Sequence, residues 1–435
     1  MKHHTLYWME TYGCQMNTAE SNALEAALQL AGMKPAKTAE EADCAILNTC
    51  SVRKTAENRI WGRIGYFQHL KQSQDLTLVI TGCMAERLGE DFLKDAPAVD
   101  HVMGTNDKQR IAALLSGGSD ERESAYTFTE SYHKEGEVKS YVPIMNGCNN
   151  FCAYCIVPYV RGREVSRDPQ SIYDEIARLE DKGVKEITLL GQNVNSYSAV
   201  SDGTVVHFPE LLSEISNRVS SIEWIRFESP HPKDFSRNLI EVIAREPVIA
   251  NHLHIPVQSG SSRILQAMNR RYSRERYLQL IGDLREAVPG ITFTTDVMVG
   301  FPGESEADFH DTLSLMEEVG FLEAFLYYFN PREGTKAVEM PDQIPSEEKM
   351  ARLQQLIDLQ RSITRSRKEA RCRGRQRVLV EQISKKDSTQ YLGRTEHDEM
   401  VVFSPSKDIS VGDFVTIELQ TLVGNTMTGV HVVDI

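Results

Sequence analysis

Gly147-Cys148-Asn149-Asn150-Phe151-Cys152-Ala153-Tyr154-Cys155-Ile156-Val157-Pro158-Tyr159-Val160-Arg161-Gly162-Arg163-Glu164 carries three cysteines in a CxxxCxxC spacing, with an aromatic residue just before the last. Three thiolates on one short loop can hold three irons of a cubane 4Fe–4S cluster, whose full protein complement is four cysteines. The missing fourth thiolate leaves one iron open. An open coordination position is what separates a reactive metal centre from a structural one. A zinc knuckle is the competing reading. Structural zinc takes four nitrogen or sulfur ligands, often as two separated pairs, and no second CxxC or HxxxH follows nearby.

The flanks of this run set the architecture. Ser140–Met145 is apolar and leads directly into Cys148. Five further strand-like runs end in polar or glycine-rich segments: Glu186–Leu190, Glu223–Glu228, His252–Val257, Phe293–Val299 and Ala324–Phe329. Six strands alternating with helical stretches predict a partial (β/α)6 barrel over residues 134–366, its polar ends on the face where the cysteine loop emerges. His231 reads as part of a Pro-flanked turn and His254 as packing beside the barrel; neither is assigned a role.

Residues 1–118 alternate strand and helix, which implies a parallel α/β sheet. Strands at Thr5–Thr11, Ala42–Leu47 and Leu76–Ile80 are each followed within a few residues by a cysteine: Cys14, Cys50 and Cys83. The carboxyl ends of parallel strands face one crevice, so three sequence-distant cysteines converge there, again three and not four. Buried inert cysteines are the bland alternative. Asn17 with Glu20 three residues later suggests a capping box opening a helix over Ala19–Leu30, which ends at Gly32. A second helix is expected from Val52 to Leu70. Cys44 begins the strand whose far end leads to Cys50. Six extended residues span about 20 Å, so Cys44 belongs to the core at the opposite edge. Cys372 is given no metal role.

The 435 residues have net charge −14, which argues against a nonspecific nucleic-acid coat. One segment reverses the sign. Arg361, Arg365, Arg367, Lys368, Arg371, Arg373, Arg375 and Arg377 lie within 17 residues that contain one acid, Glu369. This run, at the end of a helical stretch from Ser346, points to a polyanion partner; a solvated helix face is the alternative. Five short β-rich runs follow, so 367–435 is expected to form a small antiparallel β-barrel, a geometry many RNA-binding modules use. Eight cysteines are too few for a disulfide scaffold and suggest metal ligation in a reducing compartment. No apolar stretch approaches the roughly 20 residues a membrane span needs, and no signal peptide is read at the N-terminus. A cytoplasmic monomer is expected.

The whole chain resembles the radical S-adenosylmethionine (SAM) methylthiotransferase family, most closely its MiaB-type tRNA branch. The resemblance rests on Thr11-Tyr-Gly-Cys-Gln-Met-Asn17, Asn48-Thr-Cys-Ser-Val-Arg53, the cluster run, and Leu189-Leu-Gly-Gln-Asn-Val-Asn195. Ser229-Pro-His-Pro-Lys233, His254-Ile-Pro-Val-Gln-Ser-Gly260, Met268-Asn-Arg-Arg-Tyr272 and Leu392-Gly-Arg-Thr395 add to it. Glu228-Ser229-Pro230 departs from the Thr/Ser-rich stretch expected there. The resemblance implies an N-terminal cluster domain, a radical SAM barrel and a C-terminal TRAM domain. It implies two 4Fe–4S clusters, a radical-generating one on Cys148, Cys152 and Cys155 and an auxiliary one on Cys14, Cys50 and Cys83. SAM would serve as radical source and methyl donor, contacted near Tyr154, Gly191, Gln192, Gln258, Ser259, Gly300 and Gly303. The implied reaction methylthiolates carbon 2 of N(6)-dimethylallyladenosine beside the tRNA anticodon, with RNA contacts from Arg365, Arg367, Arg371, Arg373 and Arg394. An electron donor and a sulfur or cluster carrier are the further partners. The alternatives are a sister enzyme acting on threonylcarbamoyl-adenosine or on a ribosomal-protein aspartate, and a non-catalytic metal-stabilised RNA-binding protein.

Overall fold

A computed structural model describes residues 4–51, 54–118, 126–128, 133–134, 136–405 and 408–432. Val52 and Arg53 of the second cysteine motif, residues 119–125 of the polar connection, and Val433 lie outside the described residues.

The N-terminal domain is a parallel sheet in the order β2-β1-β3-β4-β5. The strands are β1 Leu6–Thr11, β2 Lys34–Pro35, β3 Cys44–Thr49, β4 Thr77–Gly82 and β5 His101–Met103. Every residue of β3 is buried, as expected of a parallel strand covered on both faces. Its alternation shows in the two cores. Ala45 and Leu47 pack with Ile60, Ile64 and Phe67 of helix α2 (Lys54–Leu70). Cys44 and Ile46 pack on the other face with Leu24 and Leu28 of helix α1 (Gln15–Leu30). Cys44 is therefore core, at the amino edge of the sheet, as read from the sequence.

The helix α1 begins earlier than expected. Cys14 is its N-cap, without a side-chain cap bond. The capping box at Asn17 and Glu20 does not form, because both residues lie inside the helix and are buried. Their side chains are engaged elsewhere, as described below.

The central domain contains two three-stranded parallel sheets. One runs Trp224–Phe227, Glu186–Leu190, Lys139–Pro143; the other runs His252–His254, Thr292–Val299, Glu323–Tyr328. A parallel bridge between Ile225 and Ile249 joins them, giving a six-strand arc in chain order, the partial barrel expected. Its core lies between strands and helices, with Ile187, Leu189, Ile225, Phe227, Phe293 and Val297 in one cluster. A hairpin, Ser198–Ser201 with Thr204–His207, was not expected. Its turn is Asp202-Gly203, both at positive φ (49° and 76°), the conformation a two-residue hairpin turn of this kind requires.

Five strands close the terminal barrel: Arg375–Ile383, Tyr391–Thr395, Met400–Ser404, Phe414–Val423 and Thr426–Val432. Four of the pairings are antiparallel; Met400–Ser404 pairs with Thr426–Val432 in parallel. This barrel sits against the amino-terminal ends of the central strands, away from the cysteine loop. Arg226 donates to the carbonyls of Thr395 (3.2 Å) and Glu396 (2.9 Å). His397 bonds the Asn251 carbonyl (3.0 Å), and Trp224 meets Phe414 edge to face. Among the described residues no helix is long and apolar enough to cross a membrane.

Candidate active site where two cysteine loops meet

The run Gly147–Glu164 is held by the ends of the barrel strands. Gly147 has φ +82°, and a Cβ there would collide with the Arg163 carbonyl. Its N–H donates to Gln192 Oε1 (2.6 Å), and the Cys148 N–H donates to the Gly162 carbonyl (3.1 Å). Asn269 Nδ2 donates to the carbonyls of Asn150 (3.1 Å) and Phe151 (3.0 Å), and the Ala153 N–H donates to the Met268 carbonyl (2.9 Å). Buried Arg270 donates to Pro256 O (3.0 Å) and approaches Cys152 Sγ at 3.5 Å. Tyr154 packs near Phe301 and Phe329. Arg270 was quoted from the sequence only within a motif; its contact with a cysteine sulfur needed the fold.

The thiols fit a soft metal centre. No disulfide joins any of the eight cysteines. Burial pushes Cys148 up to about 11 and Cys155 up to about 12, with the neighbouring cysteines adding to the rise. Without a metal both are neutral at pH 7; thiolates are the form a metal binds, releasing protons as it does so.

The other expected contact residues also sit at barrel strand ends, and several have structural duties. Gly191 leaves space for the Met145 side chain. Gln258 has φ +70°; its N–H donates to the Asp296 carbonyl (2.8 Å). Ser259 is fully buried; its Oγ lies 3.4 Å from Thr312 Oγ1 and accepts from the Ser261 N–H at 3.2 Å. The Gly300 N–H donates to Glu304 Oε2 (2.7 Å), and the space beside Gly300 is filled by Lys349. Gly303 (φ +75°) faces open space. His254, given no role from the sequence, lies close by: its Nε2 is 3.6 Å from Asp296 Oδ2, with Glu228 interacting electrostatically with both.

Cys14, Cys50 and Cys83 follow β1, β3 and β4 at the carboxyl edge of the N-terminal sheet. Gly13 (φ +125°) has no room for a side chain, because a Cβ would stand 2.7 Å from Cys50 Cβ. Gly82 (φ +93°) presses equally closely on the Thr49 backbone. The loops bearing Cys14, Cys50 and Cys83 are thus in mutual contact. Cys50 and Cys83 are buried and Cys14 is exposed. Burial raises the Cys83 thiol, while Arg161 and Lys108 oppose the rise. Cys83 also packs on Ile156 and Val160, just past Cys155, so the two sets meet at one interface. Buried Glu57 strengthens it, pairing with Arg87 (2.8 Å) from its own domain and Arg332 (3.1 Å) from the barrel. A third grouping, His4, Asp43 and Cys44, has ligand atoms within 4.8 Å. It lies at the opposite edge, and its polar atoms hydrogen-bond to backbone and to Thr5 and Thr77.

The basic run divides. Arg365, Arg367 and Arg373 are exposed. Arg371 instead pairs with buried Glu399 (2.9 Å). Arg394 pairs with Asp398 (2.9 Å) and Glu381 (3.5 Å). Both of these arginines are thus engaged in ion pairs within the protein, which charge periodicity alone does not reveal.

Three family models match in series: Uncharacterized protein family UPF0004 over residues 6–104, the Radical SAM superfamily over 142–316, and the TRAM domain over 371–430. Proteins named tRNA-2-methylthio-N(6)-dimethylallyladenosine synthase match end to end. That of Treponema denticola is 45% identical, covering 97% of this chain and 98% of its own. That of Treponema pallidum (strain Nichols) is 44% identical, with 97% of each chain covered. The chain belongs to this synthase family. The three matches fall in turn on the N-terminal domain, the central barrel and the terminal barrel. Among solved structures, the radical SAM methyltransferase TsrM from Kitasatospora setae, with cobalamin and a 4Fe–4S cluster bound, superposes with TM-score 0.55. It covers 77% of each chain at 14% identity, a likeness of fold alone.

Proposed function

We propose that this protein is a radical SAM enzyme that methylthiolates carbon 2 of N(6)-dimethylallyladenosine next to the anticodon of tRNA. The observation that carries the reading is the meeting of two three-cysteine sets at one domain interface. Cys148, Cys152 and Cys155 would hold a 4Fe–4S cluster with one iron left for SAM, and Cys14, Cys50 and Cys83 a second. When bound, these groups supply the radical that removes an unactivated hydrogen, and the sulfur that replaces it.

The protein's own residues position and exclude. Gln192 and Asn269 brace the loop that would hold the SAM-binding cluster. Arg270 places a fixed positive charge against the Cys152 sulfur. Tyr154, Gly191, Gln192, Gln258, Ser259, Gly300 and Gly303 are proposed as the SAM-binding rim. Gly303 has room for a ligand; buried Ser259 would shape the rim from behind. Arg365, Arg367 and Arg373 are proposed to contact tRNA phosphates, which position the substrate without reading sequence. A single-stranded anticodon loop can splay one base toward a buried centre. A cytoplasmic monomer served by a separate electron donor and a sulfur or cluster carrier completes the reading.

The test is nucleoside mass spectrometry of tRNA from a deletion strain. Loss of the 2-methylthio group from dimethylallyl-adenosine, restored by the intact gene, is expected. Loss confined to a threonylcarbamoyl-adenosine derivative, or to a modified ribosomal-protein aspartate, would assign a sister activity instead.

A further inference from the structure

Arg161 belongs to the barrel's cysteine run, yet its guanidinium reaches the other domain. Its side chain is 3% exposed. Nη1 donates to Glu20 Oε1 (2.7 Å) and Asn146 Oδ1 (3.0 Å); Nη2 donates to Asn17 Oδ1 (3.0 Å) and Glu20 Oε2 (3.2 Å). All four terminal N–H bonds are therefore used, in the planar fork that only arginine offers. Asn17 continues the connection. Its Nδ2 donates to Tyr12 O (2.8 Å) and Thr49 O (3.0 Å), the loops that carry Cys14 and Cys50. On the flank, Thr105 Oγ1 donates to Val160 O (2.8 Å), where Cys83 also packs. One buried layer thus ties all three cysteines of the N-terminal domain to the segment that follows Cys155.

This layer has an uneven charge. Glu20 pairs with Lys108 as well as Arg161, and all three are buried. Among the described residues Glu20 is the only carboxylate in ion-pair contact with either cation. One positive charge is left over inside the interface, a costly arrangement unless something nearby compensates it. Three thiolates around a dipositive 4Fe–4S core leave one negative charge, and net charge and local environment set cluster potentials.

We propose that Arg161, held by Asn17 and Glu20, is a positioning residue for sulfur insertion, which fixes the auxiliary cysteine set against the radical-generating loop and balances the charge of the cluster on Cys14, Cys50 and Cys83. This inference rests on the assignment of those cysteines as cluster ligands. Misplacing reacting groups by about 1 Å can cost on the order of a hundredfold in rate, so the consequence falls on coupling between the two half-reactions.

The test uses full-length, anaerobically reconstituted protein with Arg161→Gln or Arg161→Lys. Three quantities are measured: iron content, deoxyadenosine released per methylthiolated nucleoside, and the midpoint potential of the auxiliary cluster in a Cys152→Ala background. Arg161→Gln should still cleave SAM, form up to about a hundredfold less product per deoxyadenosine, and shift the auxiliary midpoint to lower potential. Arg161→Lys keeps the charge and loses the fork; it should restore the potential but not the coupling. Unchanged potential and unchanged coupling in Arg161→Gln would overturn the inference. Iron content unaffected by Cys50→Ala would instead remove the cluster assignment beneath it.

Discussion

Glu20 shows how far one residue's role depends on what the chain brings to it. In sequence it sits where an N-terminal helix cap would accept a hydrogen bond; in the fold it is buried against Arg161 and Lys108. Burial works to raise its pKa, but the two cations outweigh it and hold the carboxyl at about 2, below the ordinary 4.5. A depressed carboxylate stabilises the fold above its unfolded pKa and loses that contribution as pH falls through the folded one. Acid denaturation between about pH 4.5 and 2 should therefore include a Glu20 component on the order of 3 kcal/mol. Urea titrations across that range should show it in the native protein and not in Glu20→Gln, whose stability at pH 7 should already be lower by about 3 kcal/mol. The sequence could not announce this partnership, because Glu20 and Arg161 are 141 positions apart. The cysteines were legible for the opposite reason: each follows its own strand within a few residues, so local pattern and the parallel-sheet rule suffice. Gly147 is a second single-residue test. With φ +82° and the Arg163 carbonyl where a Cβ would go, Gly147→Ala should lose the barrel iron while retaining the auxiliary iron, measured as a fall of about four irons per chain.

At the scale of elements, the six barrel strands and the five terminal strands were readable because apolar runs stop at Gly, Pro, Asn and Ser. The hairpin at Ser198–His207 was missed although Asp202-Gly203 is a strong hairpin turn signal; three of its eight strand residues are exposed on one arm alone, so little apolar alternation marks it. The basic run that spans the end of the Ser346–Glu369 helix and the turn after it is legible as a unit, but only packing separates its two populations. Arg365, Arg367 and Arg373 are exposed, while Arg371 is bound to buried Glu399. Replacing the first three together by glutamine should weaken tRNA binding and flatten its dependence on salt, since fewer phosphate counterions are released. Their effect on the melting temperature should be small. Arg371→Ala should do the reverse, lowering stability by about 3 kcal/mol because a buried carboxylate loses its cation. Binding isotherms at several salt concentrations and thermal melts on the same preparations separate the two outcomes; equal salt slopes for the triple variant and the native protein would make those arginines a solvated face.

At the scale of the whole molecule, two cysteine sets in separate domains predict separable losses. Cys152→Ala should abolish both deoxyadenosine release and nucleoside modification. Cys50→Ala should leave reductive SAM cleavage and stop sulfur insertion, while Cys44→Ser, in the core of the far edge, should affect neither reaction and cost some stability. Chromatography of deoxyadenosine and modified nucleoside from the same reactions reads all three; loss of methylthiolation in folded Cys44→Ser, with Cys50→Ala active, would place the second centre elsewhere. Domain order was legible because each domain has its own periodicity, but their mutual contacts were not. The seating of the terminal barrel on the central one is the clearest case: Arg226, a strand residue of the central barrel, has its guanidinium capped by the carbonyls of Thr395 and Glu396. A module seated in this way should not melt by itself. Any free energy gained when RNA binds its outer face is shared with the central barrel, so saturating tRNA should raise the midpoint of one joint thermal transition. On the proposed function, tRNA bound at the terminal barrel should therefore be felt as resistance to unfolding in the catalytic domain.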